Sequence, residues 1–486
     1  MGGSSKLERT IQQAHDALER ENLGSALLLY RKALSMDKRN ERLLTRVGQV
    51  ELAAGYVAQA IETLRVAARK RPNHTDTHVL LSEAQAALGD SEGAIETLDK
   101  VIARDPSSGA AALALVSKHV NTGDVELAQG VLDRVESSEH PHALLRFARA
   151  KVARATKDYG GAIDELSAML DDPETQERHR RSARFELGHI YDAMERYDDA
   201  FECFAQANAG HNPGKPIHPE SIKSAWSREA LGSVPFASER DERPVIIAGV
   251  PRSGTTLTER VIHAHPKGAG VGECPLLVQM STRTLVSNLD QARIDEYATE
   301  YLDHLTEQVG EGPERVVDKH MGTEKSLGFI SRALPGARVI HALRDPRDCC
   351  LSAFTQNFGK NVPYSRDLTT LGKQYVAHRE MMEYWFSIIE NPVCVSVYEE
   401  FVEDPDTHTR NLIAFLGLEF DEACLRFHES KDHVRTASST QVRKPIYTTS
   451  TARWKRYEKH LGPLFEALGE FADGVRATTR FPGVSS

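Results

Sequence analysis

The sequence lacks most of the features that would take it out of the class of ordinary globular proteins. No uncharged apolar stretch approaches the ~20 residues that a membrane helix needs, so we expect no membrane contact. Only six cysteines occur among 486 residues, without a C-x-x-C pair, which favours reduced thiols over a disulfide framework or a zinc site. The formal net charge of −10 disfavours non-specific nucleic-acid binding. The polar amino-terminal stretch carries no secretory signal, and we expect a cytoplasmic protein.

The first half of the chain repeats with a period of 34 residues, which is typical of tetratricopeptide repeats. The recurring slots hold small or apolar side chains: Gly48, Ala60 and Leu64 in one unit, Ser82, Ala94 and Leu98 in the next, and Gly188, Ala200 and Phe204 further on. Small residues let two helices approach closely, and neighbouring pairs stack into a superhelix with a concave groove. We expect about six repeats and a peptide or protein bound in the groove. A generic helical bundle is the alternative.

The second half alternates short apolar runs with helical patterns. The runs are VIIAGV after Pro244, ARVIHAL at 337–343 and NPVCVSVYEEF at 391–401. Buried strands alternating with helices predict a mainly parallel sheet whose ligands bind at the carboxyl ends of the strands.

The stretch GVPRSGTT, residues 249–256, joins the first of these strands to a helix. Its glycines let backbone N–H groups converge on an anion at the helix N-terminus. Thr255 stands where a Walker A loop has lysine, while Arg252 supplies a positive charge earlier in the loop. The loop therefore suits a phosphate-like anion other than ATP with magnesium. A turn without a ligand and a degenerate loop of a P-loop NTPase or kinase are the alternatives.

The stretch RDPRDCCLS, residues 344–352, follows the second strand and suggests a second phosphate site. Arg344 stands at the end of the strand, and Ser352 lies in the following helix. A ligand with a 5′-phosphoanhydride and a separate 3′-phosphate would match two such sites. The compound with that shape is 3′-phosphoadenylyl sulfate.

With these two motifs, the C-terminal half resembles a sulfotransferase, in particular the tyrosylprotein sulfotransferases and bacterial repeat-containing relatives. The resemblance covers about residues 243–465. The motifs that carry it are PRSGTTL (251–257), GE (272–273), DK (318–319), RDPRDCCLS (344–352), VYEEFVEDP (397–405), SSTQVRKP (438–445) and RW (453–454).

The resemblance implies in-line sulfuryl transfer from 3′-phosphoadenylyl sulfate to a hydroxyl, without a metal. It assigns the base to Glu273, with His320 as the alternative. It assigns stabilisation of the transition state to Lys319 and Ser438, and it counts Arg252 among the catalytic residues. Neighbouring Ser439 competes with Ser438 for its place, because the assignment rests on aligning Q-V-x-K-P.

The resemblance also implies a set of groups around the cosubstrate. Arg252, Ser253, Gly254, Thr255 and Thr256 would hold its 5′ end, Arg344 and Ser352 its 3′-phosphate, and Tyr398 would lie near the nucleotide. A basic lid would comprise Gln441, Arg443, Lys444 and Arg453. Gln356 stands where the tyrosylprotein branch has arginine. The resemblance therefore makes tyrosine one candidate for the acceptor and does not assign it.

The predicted organisation is a repeat solenoid over 1–213, a linker with a helix over 214–242, and an α/β P-loop-like sulfotransferase domain over 243–486. We expect no nucleic-acid partner. A second copy of the chain is an alternative partner of the repeats. The non-enzymatic alternative is an inactive repeat scaffold with a nucleotide-binding domain.

Overall fold

A computed structural model describes residues 2–19, 23–38, 40–135, 143–358, 362–429 and 451–484. The chain divides into two compact units, Met1–Ala207 and Asn208–Ser486. Ser438, Ser439, Gln441, Arg443 and Lys444 lie outside the described residues.

The first unit is built of helix pairs. Its helices are α1 Gly2–Glu19, α2 Leu23–Met36, α3 Glu41–Ala53, α4 Val57–Lys70, α5 Thr75–Ala87, α6 Ser91–Arg104, α7 Gly109–Thr122, α8 Val125–Arg134, α9 Ala143–Ala155, α10 Tyr159–Asp171, α11 Glu177–Ala193 and α12 Tyr197–Asn208. The described part of the array thus contains twelve helices, which form six consecutive pairs.

The small residues of the repeat slots lie where helices of a pair touch. A Cβ atom on Gly48 of α3 would be 2.5 Å from Cγ of Leu64 on α4, and one on Gly188 of α11 would be 2.5 Å from Cε1 of Phe204 on α12. Ala60 and Ala200 are fully buried. The close approach predicted from the 34-residue period is confirmed in the second and in the last helix pair of the array.

The second unit contains a five-stranded sheet. Its strands are β1 Pro244–Ala248, β2 Gly268–Gly272, β3 Arg315–Asp318, β4 Arg338–Leu343 and β5 Val393–Val397. They are ordered β2-β3-β1-β4-β5, and every pairing between them is parallel. The predicted fold class, a helical repeat array followed by an α/β domain with a parallel sheet, is confirmed.

Helices cover both faces of this sheet. They are α13 Pro219–Ala225, α14 Arg228–Ser233, α15 Thr255–His263, α16 Leu276–Arg283, α17 Gln291–Val309, α18 Leu327–Ala333, α19 Pro346–Phe354, α20 Leu368–Ile388, α21 Tyr398–Glu403, α22 Pro405–Phe415 and α23 Gly462–Leu468. Short 3-10 helices lie at Val286–Asn288, Thr323–Lys325, Pro363–Arg366, Glu422–Glu429, Arg453–His460 and Gly469–Asp473.

Alternate residues of β1 enter two different cores. Ile246 packs in the core that includes residues of α16, α17, α18 and α20, while Val245 and Ile247 pack in the core with α15 and α22. A strand buried on both faces needs an unbroken apolar run, which is what VIIA supplies.

The segment 214–242, predicted as a linker with a helix, lies in the second unit. It holds α13 and α14. Ser227 is the N-cap of α14, since its side chain accepts a hydrogen bond from Ala230 N. Its Trp226, Leu231 and Val234 are buried in the first of the two cores. This segment therefore contributes apolar contacts to the sheet domain.

Candidate active site

Each strand of the sheet is followed directly by a residue predicted for the site. The loop 249–254 follows β1, Glu273 follows β2, Lys319 follows β3, Arg344 follows β4 and Tyr398 follows β5. Carboxyl ends of parallel strands lie along one edge of a sheet. The chain leaves central β1 first toward β2 and β3 on one side, then toward β4 and β5 on the other. The loop after β1 thus lies at the switch point, where α/β proteins bind ligands.

The loop after β1 has a backbone that requires glycine. Gly254 precedes α15 with φ of 101°, and a Cβ atom on Gly249 would be 2.5 Å from Oγ of Ser253 and 2.9 Å from the carbonyl oxygen of Ala342. Arg252 also has a positive φ, 74°, a conformation that costs free energy in a residue with a side chain. Buried Oγ of Ser253 has no hydrogen-bond partner among the described residues. This hydroxyl and the helix N-terminus suit an anion.

The loop and the motif after β4 are in direct contact. Nε of Arg252 donates to Oγ of Ser352 at 3.0 Å, and Nη1 of Arg344 donates to the carbonyl oxygen of Arg252 at 3.1 Å. The three side chains are buried. Arg252 of the first motif is therefore in direct hydrogen-bond contact with both Arg344 and Ser352 of the second.

Tyr398 joins the two motifs from a third element. The guanidinium of Arg344 lies 4.6 Å from the centre of the Tyr398 ring, and a Cβ atom on Gly254 would meet Cδ2 of that ring at 3.0 Å. The hydroxyl of Tyr375 on α20 donates to the backbone carbonyl oxygen of Arg344 at 3.0 Å. Arg344 is thus contacted by α20 through its backbone and by the loop after β1 and Tyr398 through its side chain. The third apolar run ends as a strand at Val397, so that Tyr398 begins α21.

Lys319 and Glu273 form an ion pair. Nζ of Lys319 lies 3.0 Å from Oε1 of Glu273 and 3.8 Å from Oε2 of Glu259 on α15. The side chain of Lys319 is 1% exposed and that of Glu273 36%. Burial raises the pKa of Glu259, while the neighbouring Lys319 opposes that shift. The accessible carboxylate of this trio is therefore Glu273, the residue predicted as the base.

Asp318, the last residue of β3, directly precedes Lys319 of this ion pair. Its Oδ1 accepts hydrogen bonds from Cys274 N at 3.3 Å and His320 N at 3.1 Å, and its Oδ2 accepts one from the hydroxyl of Tyr301 on α17 at 3.0 Å. Burial raises the pKa of Asp318 to about 7, although these three hydrogen bonds act in the opposite direction.

His320, the alternative base, is half-buried. Its Nδ1 is buried and has no hydrogen-bond partner among the described residues. Burial lowers the pKa of its imidazole, and the charge of Glu273 opposes that shift. The ring is therefore neutral at physiological pH and adjoins the same ion pair.

Arg453 is the one predicted lid residue that the structure describes. Its guanidinium lies 5.7 Å from the ring centre of Tyr457. The neighbouring Trp454 contacts the motif after β4. Its backbone N–H donates to Oδ1 of Asp348 at 2.8 Å, and the centre of its ring lies 4.1 Å from the guanidinium of Arg347. The chain thus returns to the 344–352 motif after residues 430–450.

No group of three or more metal-ligating side chains occurs in the described part of the chain. None of the described helices combines the length and apolarity needed to span a bilayer. A cavity of about 340 Å³ beside α21 and α22 is lined by none of the predicted site residues.

Three residues of the site are absent from the sequence prediction: Glu259, Asp318 and Tyr375. The sequence points to Asp318, because it precedes Lys319 in the DK pair. It points only weakly to Glu259, a carboxylate on the buried face of the helix after the glycine loop. Nothing in the sequence indicates Tyr375, because it contacts Arg344 only through the packing of α20 on the sheet.

Models of known protein families match both halves of the chain. Residues 244–422 match the family model described as sulfotransferase family. Models of the tetratricopeptide repeat match residues 51–119, residues 11–75 and 113–177, and residues 182–208.

Individual proteins of known sequence or structure are also similar to this chain. An uncharacterized protein of Aquifex aeolicus (strain VF5) is 27% identical over 458 residues, which cover 87% of this chain but only 58% of that relative. Protein-tyrosine sulfotransferase 1 of Danio rerio is 27% identical over 253 residues, 46% of this chain and 68% of its own. The sulfotransferase domain from the Synechococcus PCC 7002 olefin synthase covers 46% of this chain and 91% of its own, with 19% identity and a TM-score of 0.36.

Proposed function

Because the chain joins tetratricopeptide repeats to a sulfotransferase-family domain, we propose that it transfers the sulfuryl group of 3′-phosphoadenylyl sulfate to a hydroxyl acceptor. The observation that carries the proposal is the arrangement at the strand ends, where the glycine loop, Glu273, Lys319, Arg344 and Tyr398 each follow a different strand of one parallel sheet. Anion donors and an accessible carboxylate with a lysine are what such a transfer needs.

The residues of the two phosphate motifs fit this cosubstrate. The hydroxyl of Ser253 is buried without a hydrogen-bond partner among the described residues, and Gly249 and Gly254 leave no room for side chains. We assign Ser253, Gly254, Thr255 and Thr256 to its 5′ end, and Arg344 and Ser352 to its 3′-phosphate. Arg252, in contact with Ser352, lies between the two groups. When bound, the cosubstrate supplies the sulfuryl group and an anionic leaving group.

Glu273 and Lys319 divide the chemistry of the transfer between them. Glu273 accepts the proton of the attacking hydroxyl, because it is the more accessible of the two carboxylates around Lys319. Lys319 presents a buried positive charge, which stabilises negative charge on the leaving oxygen more strongly than an exposed lysine would. Ser438, with Ser439 as the alternative, and the lid residues Gln441, Arg443, Lys444 and Arg453 remain part of the proposal, as does the absence of a metal.

The repeat array favours a peptide or protein as the acceptor, because such arrays present extended concave surfaces. Some relatives are named as protein-tyrosine sulfotransferases, and a tyrosine hydroxyl is therefore the first acceptor to test. Gln356 replaces the arginine of that branch, so the acceptor site differs in at least one contact. We place the reaction in the cytoplasm, in keeping with cysteines that show no disulfide spacing.

The experiment is transfer of radiolabelled sulfuryl from 3′-phosphoadenylyl sulfate to a mixture of tyrosine peptides and simple phenols. Wild type is compared with Glu273→Gln, and exposed Glu300→Gln on α17 is the matched control. We expect transfer by wild type and by Glu300→Gln, and a loss of about 100-fold or more in Glu273→Gln. An equal rate in Glu273→Gln would contradict the assignment of the base. A protein that binds the nucleotide but transfers nothing would favour the inactive scaffold.

A further inference from the structure

The backbone segments that carry Glu273 and Lys319 are tied to each other by two hydrogen bonds, and a third bond holds Asp318 within its own segment. The N–H of Lys319 donates to the carbonyl oxygen of Gly272 at 3.0 Å. The N–H of Cys274 and the N–H of His320 both donate to Oδ1 of Asp318. Residues on either side of Glu273 are therefore held by the segment that carries Lys319.

The sheet by itself does not fix this geometry. The pairing of β2 with β3 shifts register between Gly270 and Gly272, and Gly272 is the last residue of β2 to pair, opposite Asp318. Gly272 has φ of 73°, so the chain turns at this point and leaves the ladder. Glu273 thus follows the last paired residue of β2. Beyond this point the side chain of Asp318 connects the two segments, through its hydrogen bond from Cys274 N.

We propose that Asp318 is a positioning residue whose carboxylate fixes the Glu273 and Lys319 side chains relative to each other. The inference rests on the proposed function, since it assigns those two residues to the transfer. Asp318 acts through the two backbone N–H groups that it binds and need not touch the substrate.

The second oxygen of the carboxylate has its own anchor. The hydroxyl of Tyr301 donates to Oδ2 at 3.0 Å, and both residues are buried, Asp318 at 3% exposure. Tyr301 belongs to α17, so the carboxylate also ties the strand ends to that helix. A side chain held at both oxygens has one orientation available, which is what a positioning role requires.

The exchange of aspartate for asparagine separates geometry from charge at this position. In Asp318→Asn, the new amide oxygen would still accept from Cys274 N and His320 N. The hydroxyl of Tyr301 can turn and accept from the amide NH2, because a hydroxyl both donates and accepts. Alanine instead leaves the N–H groups of Cys274 and His320 without this acceptor. The bond from Lys319 N to Gly272 O then remains as the connection between the two segments beyond the sheet.

The test measures transfer kinetics in Asp318→Ala and Asp318→Asn. Asp318→Ala should lower kcat about 100-fold, the effect of displacing reacting groups by about 1 Å, with the KM for the sulfuryl donor unchanged. Asp318→Asn should recover most of the lost kcat. The control is Asn391→Ala, which removes two buried hydrogen bonds to the carbonyl oxygens of Leu334 and Ala337 far along the chain from Glu273. It should lose stability and keep the kcat of wild type.

Three results would overturn the inference: an Asp318→Ala protein with the kcat of wild type, an equal fall of kcat in Asn391→Ala, or an Asp318→Asn protein as impaired as Asp318→Ala. If Asp318→Ala does not fold, Tyr301→Phe replaces it. Loss of one hydrogen bond to the carboxylate should lower kcat about fivefold, and an unchanged kcat would count against the role.

Amide hydrogen exchange provides a readout that does not depend on activity. In Asp318→Ala, exchange should accelerate at Cys274 and His320 and stay unchanged at Leu334 and Ala337. Unchanged exchange at the first two amides would refute the positioning role even if wild type transfers no sulfuryl group. A wild type without transfer, but with faster exchange in Asp318→Ala, would contradict the proposed function and leave the hydrogen-bond tie established.

Discussion

The ammonium nitrogen of Lys319 lies 3.0 Å from Oε1 of Glu273, and the lysine is buried while the glutamate reaches solvent. The two residues follow neighbouring strands, β3 and β2, so the contact forms only when these strands pair. A hydroxyl that approaches Glu273 would meet a carboxylate already next to a buried positive charge. In our proposal Glu273 removes the proton of the acceptor, and Lys319 beside it stabilises the leaving group.

Replacing Lys319 by methionine should abolish most of the transfer. The variant keeps the aliphatic bulk and removes the charge, and we expect a fall in kcat of about 100- to 1,000-fold with nucleotide binding retained. It should also destabilise the fold by about 3 kcal/mol, because Glu259 would be left in a buried position without its cation. Single-turnover transfer and thermal unfolding measure the two effects. Exposed Lys325→Met is the matched control, and a Lys319→Met protein as active as this control would exclude the proposed role.

Asp318 should make stability depend on pH in a defined window. Burial raises its pKa from 3.8 to about 7, so between these values the folded protein keeps a proton that the unfolded chain has released. Stability in this window falls as pH rises and is level above about 7. Asp318→Asn has no such titration. The melting temperature of Asp318→Asn, relative to wild type, should therefore increase from about pH 4 to pH 7 and then stay constant; a constant or decreasing difference would contradict the shift.

The repeat array should respond oppositely to two Gly→Ala exchanges. Gly48→Ala places a methyl group 2.5 Å from Cγ of Leu64 and should cost about 2 kcal/mol through overpacking. A Cβ atom on Gly130, inside α8, would meet no atom of the described residues within 4 Å, so Gly130→Ala should stabilise by about 0.5–1 kcal/mol by restricting the unfolded chain. Denaturant unfolding followed by circular dichroism compares them. Equal effects would argue against close contact between α3 and α4.

The sequence predicts those parts of the structure that depend on local pattern. The 34-residue period specifies the helix pairs, and the apolar runs specify β1, β4 and β5, because each is long enough to be buried on both faces. β2 was missed, since GAGVG has little β-branched or aromatic content, and β3 was too short to recognise apart from its motif. Glu273 and Lys319 were found through motifs that stand at the ends of these two strands.

Contacts between distant segments explain what the sequence did not reveal. The bonds from Cys274 and Tyr301 to Asp318 depend on the register of β2 against β3 and on the packing of α17. The contact of Arg252 with Ser352 depends on the pairing of β1 with β4, and it joins two phosphate motifs that lie about a hundred residues apart in the sequence. The predicted roles of Ser438, Gln441, Arg443 and Lys444 stay predictions.

The most direct measurement is calorimetric titration of 3′-phosphoadenosine 5′-phosphate into wild type, Arg344→Ala and the control Arg410→Ala, whose arginine is paired with Asp406 at the surface. We predict binding by wild type and by Arg410→Ala, and affinity weakened by about 10- to 100-fold in Arg344→Ala through loss of a charge-assisted contact with the 3′-phosphate. ATP, which lacks a 3′-phosphate, should bind far more weakly to all three. No binding by folded wild type, or equal affinity in Arg344→Ala, would contradict a cosubstrate site built from GVPRSGTT and RDPRDCCLS.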